Sequence, residues 1–471
     1  MKFFFIGLFQ FFYCINFCFS QGILNAEQSL SAEEFVGAIK KFHPIIKQAD
    51  IGIKMASANL TVARAGFDPS FYIESDQKTF DGKNYYQYTN PELKIPTWYG
   101  IEVKAGLENN SGQFLLSEST VGQSSYLGIT MPLAKNLLMD KRRAMLKQAK
   151  IFQTQSTIER INIINDLLYD GYTSYWNWVK EYESYAVISA TVKVNEARFD
   201  LTKIGYRQGD RPAIDTVEAL AQLQNFQFLQ NESLVKVKNA GVELSNFLWL
   251  QNNTYYQLPE TVKPNQNWSN QLIDTSTMPL LENLLYTAKL THPKLQLYNY
   301  KLQVQEIERR LKFQSLLPTV NVKANLLNRG NNVFKGVNAA FFENNNKFGI
   351  DIGLPLRLSE GRGGYKLAKL KIQETNFELL MKQQEVENKV KYYFNEQMGL
   401  KAQVKIFEAA YKNYQTIFRG EDARFKAGES SLFLLNTREN KLLETAQKLI
   451  ELKTKFYKSQ VALQWAAGQL K

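Results

Sequence analysis

HPIIKQADIG at residues 43–52 and HPKLQLYNYK at residues 292–301 hold the only two histidines in a chain of 471 residues. Each histidine precedes a proline at the head of a segment that reads as helix. Proline fits the first turn of a helix and pushes the residue before it towards extended backbone, so a His-Pro step marks the break between a short helix and a longer one. Pro69 follows His43 by 26 positions, and Pro318 follows His292 by 26. Just past each of these prolines the pattern turns to alternation, in DPSFYIES and LPTVNVKANL. The chain reads as two copies of one unit, and repetition decides architecture before any local pattern does. Both histidines have a structural role in this reading, and two of them without cysteine make a poor metal site.

Further landmarks recur in order. Gly128-Ile129-Thr130-Met131-Pro132-Leu133 is echoed by Gly349-Ile350-Asp351-Ile352-Gly353-Leu354-Pro355-Leu356, each before a long helical stretch. Tyr206-Arg207-Gln208-Gly209 is echoed by Phe425-Lys426-Ala427-Gly428, each interrupting a pair of helices. The first repeat is placed at 21–257, with a β-hairpin at 69–133 and a helical hairpin at 135–255. The second is placed at 258–471, with a β-hairpin at 318–356 and a helical hairpin at 358–468.

The N-terminus, MKFFFIGLFQFFYCINFCFSQG, has a charged Lys2, an apolar run and small residues before Gln21, the pattern of a secretory signal peptide covering 1–20. Both cysteines, Cys14 and Cys18, lie inside it. A processed chain would then have no disulfide, thiol chemistry or thiolate metal site. No later segment approaches the ~18 consecutive apolar residues of a membrane-spanning helix, so a membrane crossing requires strands closed into a barrel. The net charge of +12 is scattered, with Lys141-Arg142-Arg143 the longest basic cluster, and gives no concentrated face for nucleic acid. The sequence contains no glycine-rich phosphate loop, nucleophile elbow or metal-ligand cluster. No catalytic residue, cofactor or metal is assigned.

Ile161, Ile164, Leu168, Tyr172, Tyr175, Val179 and Tyr182 are spaced by threes and fours, the seam of a coiled coil. Some seventy helical residues at 1.5 Å each reach about 100 Å, a length a globular domain does not need. The last helix carries a second seam through Leu442, Ala446, Leu449, Phe456 and Leu463. The strand candidates alternate with period two. Val320, Val322, Ala324 and Leu326 oppose Thr319, Asn321, Lys323 and Asn325; Ile101, Val103, Ala105 and Leu107 oppose Glu102, Lys104 and Glu108; Phe348, Ile350 and Ile352 oppose Asp351. Such dyads suit lipid on one face and a wet lumen on the other, and equally an amphipathic sheet on a soluble core. Two strand regions per repeat give about four per chain. The smallest bacterial barrels have about eight, so several chains must share one.

A signal peptide, a tandem duplication of helix–strand–strand–helix–helix, and a helical turn with glycine in each half together resemble the TolC-like outer-membrane efflux family. Its most specific part is YRQGDRPAIDTVEA, Tyr206 to Ala219. The resemblance implies a mainly α fold of tandem-duplicated coiled-coil helices forming a periplasmic tunnel. Four strands per chain would build a trimeric, twelve-stranded barrel in outer-membrane lipid. It further implies a passive exit duct for efflux or type I secretion, whose tips, at Gly209, Asp210, Gly428 and Glu429, meet a periplasmic adaptor and an inner-membrane transporter. Family members close the entrance with tyrosine, arginine and aspartate contacts in the second repeat. Here the matching set, Tyr206, Arg211, Asp215 and Glu218, lies in the first repeat. The second repeat offers Phe425 and the apolar Leu434 and Leu435. Asp215 and Glu218 have a plainer reading as first-turn carboxylates favouring the helix dipole. A structural or adhesive envelope coiled coil is the competing function, and the twice-repeated amphipathic strands speak against it. The longer first hairpin, 63 positions from Pro69 to Pro132 against 37 from Pro318 to Pro355, predicts an external aromatic loop around DGKNYYQYTNPELKIPTWYG.

Overall fold

A computed structural model of the chain describes residues 29–116, 119–266, 268, 280–331 and 345–471. The expected signal peptide, with both cysteines, lies outside the described residues.

The His-Pro steps do what proline geometry demands. Helix α1 (Ala32–Phe42) begins with a capping box between Ser31 and Glu34 and ends at His43, and α2 (Pro44–Ala65) starts at the next residue. His43 Nδ1 accepts the Ile45 N–H at 3.2 Å, so the histidine caps the helix whose first residue is the proline. Between the long helices the same device recurs: α5 (Leu281–Thr291) ends at His292, whose Nδ1 accepts the Lys294 N–H at 3.2 Å as α6 (Pro293–Gln314) begins.

Two long hairpins follow. Helices α3 (Lys141–Gln208) and α7 (Ser359–Lys426) are 68 residues each, about 100 Å at 1.5 Å per residue. They turn back into α4 (Ala213–Ser245, 33 residues) and α8 (Leu432–Ala466, 35 residues). Helix α3 starts later than the pattern suggests, because the Asp140 carboxylate caps it by accepting the Arg143 N–H at 2.8 Å. The expected seam is only part of its buried surface. Ile164, Leu168, Tyr175 and Val179 are buried, as are Leu167, Trp176 and Trp178 on the adjoining stripe. Helix α3 needs both stripes because it packs on α2, α4, α6 and α8 together. Trp176 stacks on Tyr457 of α8 at 4.5 Å, joining the two hairpins. In α8, Ala446, Leu449, Phe456 and Leu463 are buried as expected, and Leu443 takes the inward place beside half-buried Leu442. A short parallel pair, β1 (Ser29–Leu30) with β6 (Lys263–Pro264), ties the start of the described chain to the link between its halves.

The sheet departs from expectation in strand number. Among the described residues it has six antiparallel strands, β2 (Ser70–Phe80), β3 (Lys83–Pro96), β4 (Glu102–Ser111), β5 (Gly122–Pro132), β7 (Thr319–Arg329) and β8 (Asn346–Gly353), in the order β2-β3-β4-β5-β7-β8. In the second half of the chain β7 and β8 pair as one antiparallel hairpin. Residues 69–133 contain four strands where two were expected, so the stretch expected to be an external aromatic loop is strand β3, and the sheet of the single chain has six strands beside the four per chain expected in the barrel. The physical reason is the Asp81-Gly82 step. Both residues have positive φ, 53° and 72°, the two-residue hairpin turn whose twist matches paired strands. It folds the supposed loop back on β2 along the full length of that strand, from Phe80↔Lys83 to Ser70↔Lys94.

Candidate functional site

Register turns alternation into two surfaces. Residues directly opposite in an antiparallel pair point to the same side. One row runs Ile95, Val103, Ile129, Ala324, Phe348 across five strands, and the next runs Phe71, Leu93, Ala105, Leu127, Leu326. The other side carries Glu102, Thr130, Lys323 and Gly349 in one row, and Glu92, Gly106 and Tyr126 in another. Nothing among the described residues covers the apolar side: Phe348 is 63% exposed and Ile352 74%. The polar side is laced by short contacts, Lys323 to Asp351 at 2.6 Å and Lys94 to Glu92 at 3.0 Å. Tyr126 lies over Gly106, where a Cβ would sit 2.5 Å from its ring, and its hydroxyl donates to Glu92. A bare apolar face backed by a wet, charged one suits a wall between lipid and an aqueous lumen. Among the described residues no helix is long and apolar enough to cross a membrane.

At the far end of the long helices the two turns are built alike. Gly209 and Gly428 have φ of 84° and 78°, a left-handed backbone that glycine adopts without strain. In each turn the next residue's N–H reaches back to close the helix, Asp210 to the Gly205 carbonyl and Glu429 to the Arg424 carbonyl, both at 2.9 Å. Gly209, Asp210, Gly428 and Glu429 are all exposed at the turns.

The expected gate residues are partly brought together. The Arg211 guanidinium lies over the Phe425 ring, 4.1 Å from its centre, and is 3.6 Å from the Asp215 carboxylate. Its Nη2 also donates to the Phe425 carbonyl at 3.5 Å. The first repeat's cation therefore rests on the aromatic ring of the second repeat's turn. Asp215 stands in the first turn of α4, so its helix-dipole role and its ion pair coexist. Glu218 accepts from Asn436 of α8 at 3.1 Å. Tyr206 is half exposed, and its carbonyl accepts the Gly209 N–H in the turn at 3.1 Å. Leu435 is fully buried with Phe425, Leu432 and Ala219, so it packs the interior of the chain. Leu434 is half-buried and its N–H is capped by Ser431. The large apolar side chain exposed at this turn is Phe433, at 70%.

Sequence reasoning missed one contact between the hairpins. Arg198 of α3 and Glu439 of α8 form a buried two-pronged pair, Nη1 to Oε2 at 2.6 Å and Nη2 to Oε1 at 3.1 Å, and Asn195 donates to the same carboxylate at 3.0 Å. Its signal was a carboxylate four positions before Leu443, in line with the buried seam.

Comparison with known proteins agrees with this geometry. Residues 284–469 match the family described as outer membrane efflux protein. No curated protein matches the sequence. The CmeC outer membrane channel of Campylobacter jejuni is 15% identical, with a TM-score of 0.66 over 93% of this chain and 86% of that one. VceC of Vibrio cholerae is 13% identical, with a TM-score of 0.63 over 93% and 96%. The MtrE outer membrane channel of Neisseria gonorrhoeae is 13% identical, with a TM-score of 0.64 over 93% and 89%. The two-faced sheet mounted on paired long helices is thus similar in fold to the solved outer membrane channels. The match to the outer membrane efflux protein family lies in the second half of the chain, and the fold over 93% of the chain is that of these channels.

Proposed function

We propose that three copies assemble into one exit duct of a tripartite efflux or type I secretion system, each copy dividing into structural repeats at 21–257 and 258–471. The observation that carries this reading is the sheet with a polar face and an apolar face that nothing among the described residues covers, joined to helices of about 100 Å. Passage through such a duct needs no bond chemistry: lipid is excluded by the wall and water fills the lumen. The exposed turns at Gly209, Asp210, Gly428 and Glu429 are the docking points for a periplasmic adaptor and, through it, an inner-membrane transporter. Arg211, Asp215 and Phe425 hold the entrance closed by joining the two turns of one copy. Opening requires a partner that binds the dilated state more tightly than the closed one.

The test is reconstitution. Protein extracted in detergent and added to a planar bilayer is expected to give discrete, trimer-dependent conductance steps. A water-soluble monomer that needs no detergent and leaves bilayers silent would refute the duct.

A further inference from the structure

We propose that all six strands of each copy form the barrel wall, so that neighbouring copies join β2 to β8 and a trimer closes with eighteen strands. This rests on the trimeric reading above and adds to it which edges meet and how wide the wall becomes.

Four observations carry it. First, β2 and β3 are 11 and 14 residues long, comparable to the 10 and 11 of β4 and β5, and a membrane-spanning strand needs about 9–11. Second, the apolar row continues without change through Leu93 to Phe71, and the polar side through Glu92 and Lys94, so the added pair has the same lipid side and lumen side as the rest.

Third, the added strands are fixed at the start of β4 and again at its middle. The turn between β3 and β4 docks on the helices: Trp98 stacks on Phe67 at the end of α2, ring centres 4.5 Å apart and nearly parallel, and Glu102 accepts from Arg142 of α3 at 2.7 Å. Within the wall, Tyr126 of β5 passes over Gly106 of β4 to reach Glu92 of β3. A side chain spanning three strands cannot keep its partner if β3 peels away.

Fourth, among the described residues the edges left without a strand partner in this sheet are those of β2 and β8. Unpaired backbone groups are not tolerated in lipid, and these two edges need each other. Their directions fit. β2 leaves the helical end of the sheet and β8 returns to it, so β8 of one copy meets β2 of the next antiparallel. A twelve-stranded closure would have to pair β8 with β4, whose two sides are already taken by β3 and β5. Barrel diameter grows roughly linearly with strand number, so eighteen strands enclose about one and a half times the diameter of twelve.

Cysteine cross-linking tests this in the full-length chain, with Cys14 and Cys18 changed to serine. Glu74→Cys on β2 is combined in turn with Lys347→Cys, Gly349→Cys and Asp351→Cys on β8, since all four positions face the lumen. Lys104→Cys on β4 is combined with the same three. After oxidation of the detergent-extracted protein, at least one Glu74 combination is expected to shift most of the material to linked dimers and trimers, while no Lys104 combination does. Linkage from Lys104 and not from Glu74, or a trimer whose cross-section shows twelve strands by electron microscopy, would overturn the eighteen-stranded wall and leave the duct standing. A detergent-soluble monomer with no linkage in either series would remove the duct reading and this inference together.

Discussion

Each of the two histidines does its work as a neutral acceptor. Burial is the main reason the His292 imidazole is held down to about 4, with the nearby Lys294 charge adding to it, and burial likewise lowers His43. Protonation would turn the accepting Nδ1 into a donor and break the cap on Lys294 N–H. Because the folded value lies below the ordinary one, the stabilisation is complete above about pH 6.5 and is lost as pH falls from there towards about 4. The melting temperature of the protein in detergent is expected to drop across that window. His292→Asn, which keeps a capping oxygen and does not titrate, should flatten the drop, and an unchanged profile would count against the cap. Arg211 is the second case. A cation on an aromatic face contributes about 0.5–1 kcal/mol at such a partly exposed site, enough to bias a closed entrance by a few-fold. Arg211→Ala is expected to raise the resting conductance of the channel in bilayers several-fold with little change in melting. Equal conductance in mutant and parent would discard this gate.

The helices and strands differ in how much of them the sequence let one read. The His-Pro steps, the seam through Leu168 and Tyr175, and the glycines at 209 and 428 are local signals, and each lies within a turn or two of the backbone feature it produces. Strand β3 was hidden by its own Pro91, which lacks an N–H and leaves the β3–β4 ladder open between Thr89↔Asn109 and Glu92↔Gly106. A proline among so many aromatics reads as loop, and only the Asp81-Gly82 turn said otherwise. The Arg198–Glu439 pair was illegible for another reason: its partners are 241 positions apart, and no local pattern announces that two hairpins meet there. Removing one partner of a buried ion pair costs about 3–5 kcal/mol, because the other charge is left without compensation. Glu439→Ala is therefore expected to lower stability by that amount in denaturant titration, and Arg198→Met combined with Glu439→Leu to recover most of it. A single mutant losing under about 1 kcal/mol would show the pair to be solvated.

For the assembled protein the two sheet faces make opposite demands on neighbouring positions. Ile350 and Gly349 are adjacent in β8, one on the apolar side and one on the polar side, and a side chain added at Gly349 meets open space. Lysine on a lipid-facing strand costs about 2–4 kcal/mol at the bilayer midplane. Ile350→Lys is expected to reduce folded protein in outer-membrane fractions severely, while Gly349→Lys leaves the amount near normal. Similar losses from both would mean that the apolar side is not in lipid. The strand count also constrains how such a wall can change. The chain enters and leaves the sheet at the ends bearing α2, α3, α6 and α7 because strands come in pairs between helices. In the proposed duct an inserted or deleted hairpin keeps every helix on the periplasmic side, whereas gain or loss of a single strand would thrust a 68-residue rod out of the cell. The circumference of the proposed pore can therefore be enlarged or reduced only in steps of two strands per copy, and parity is as strict a constraint on its evolution as hydrophobicity.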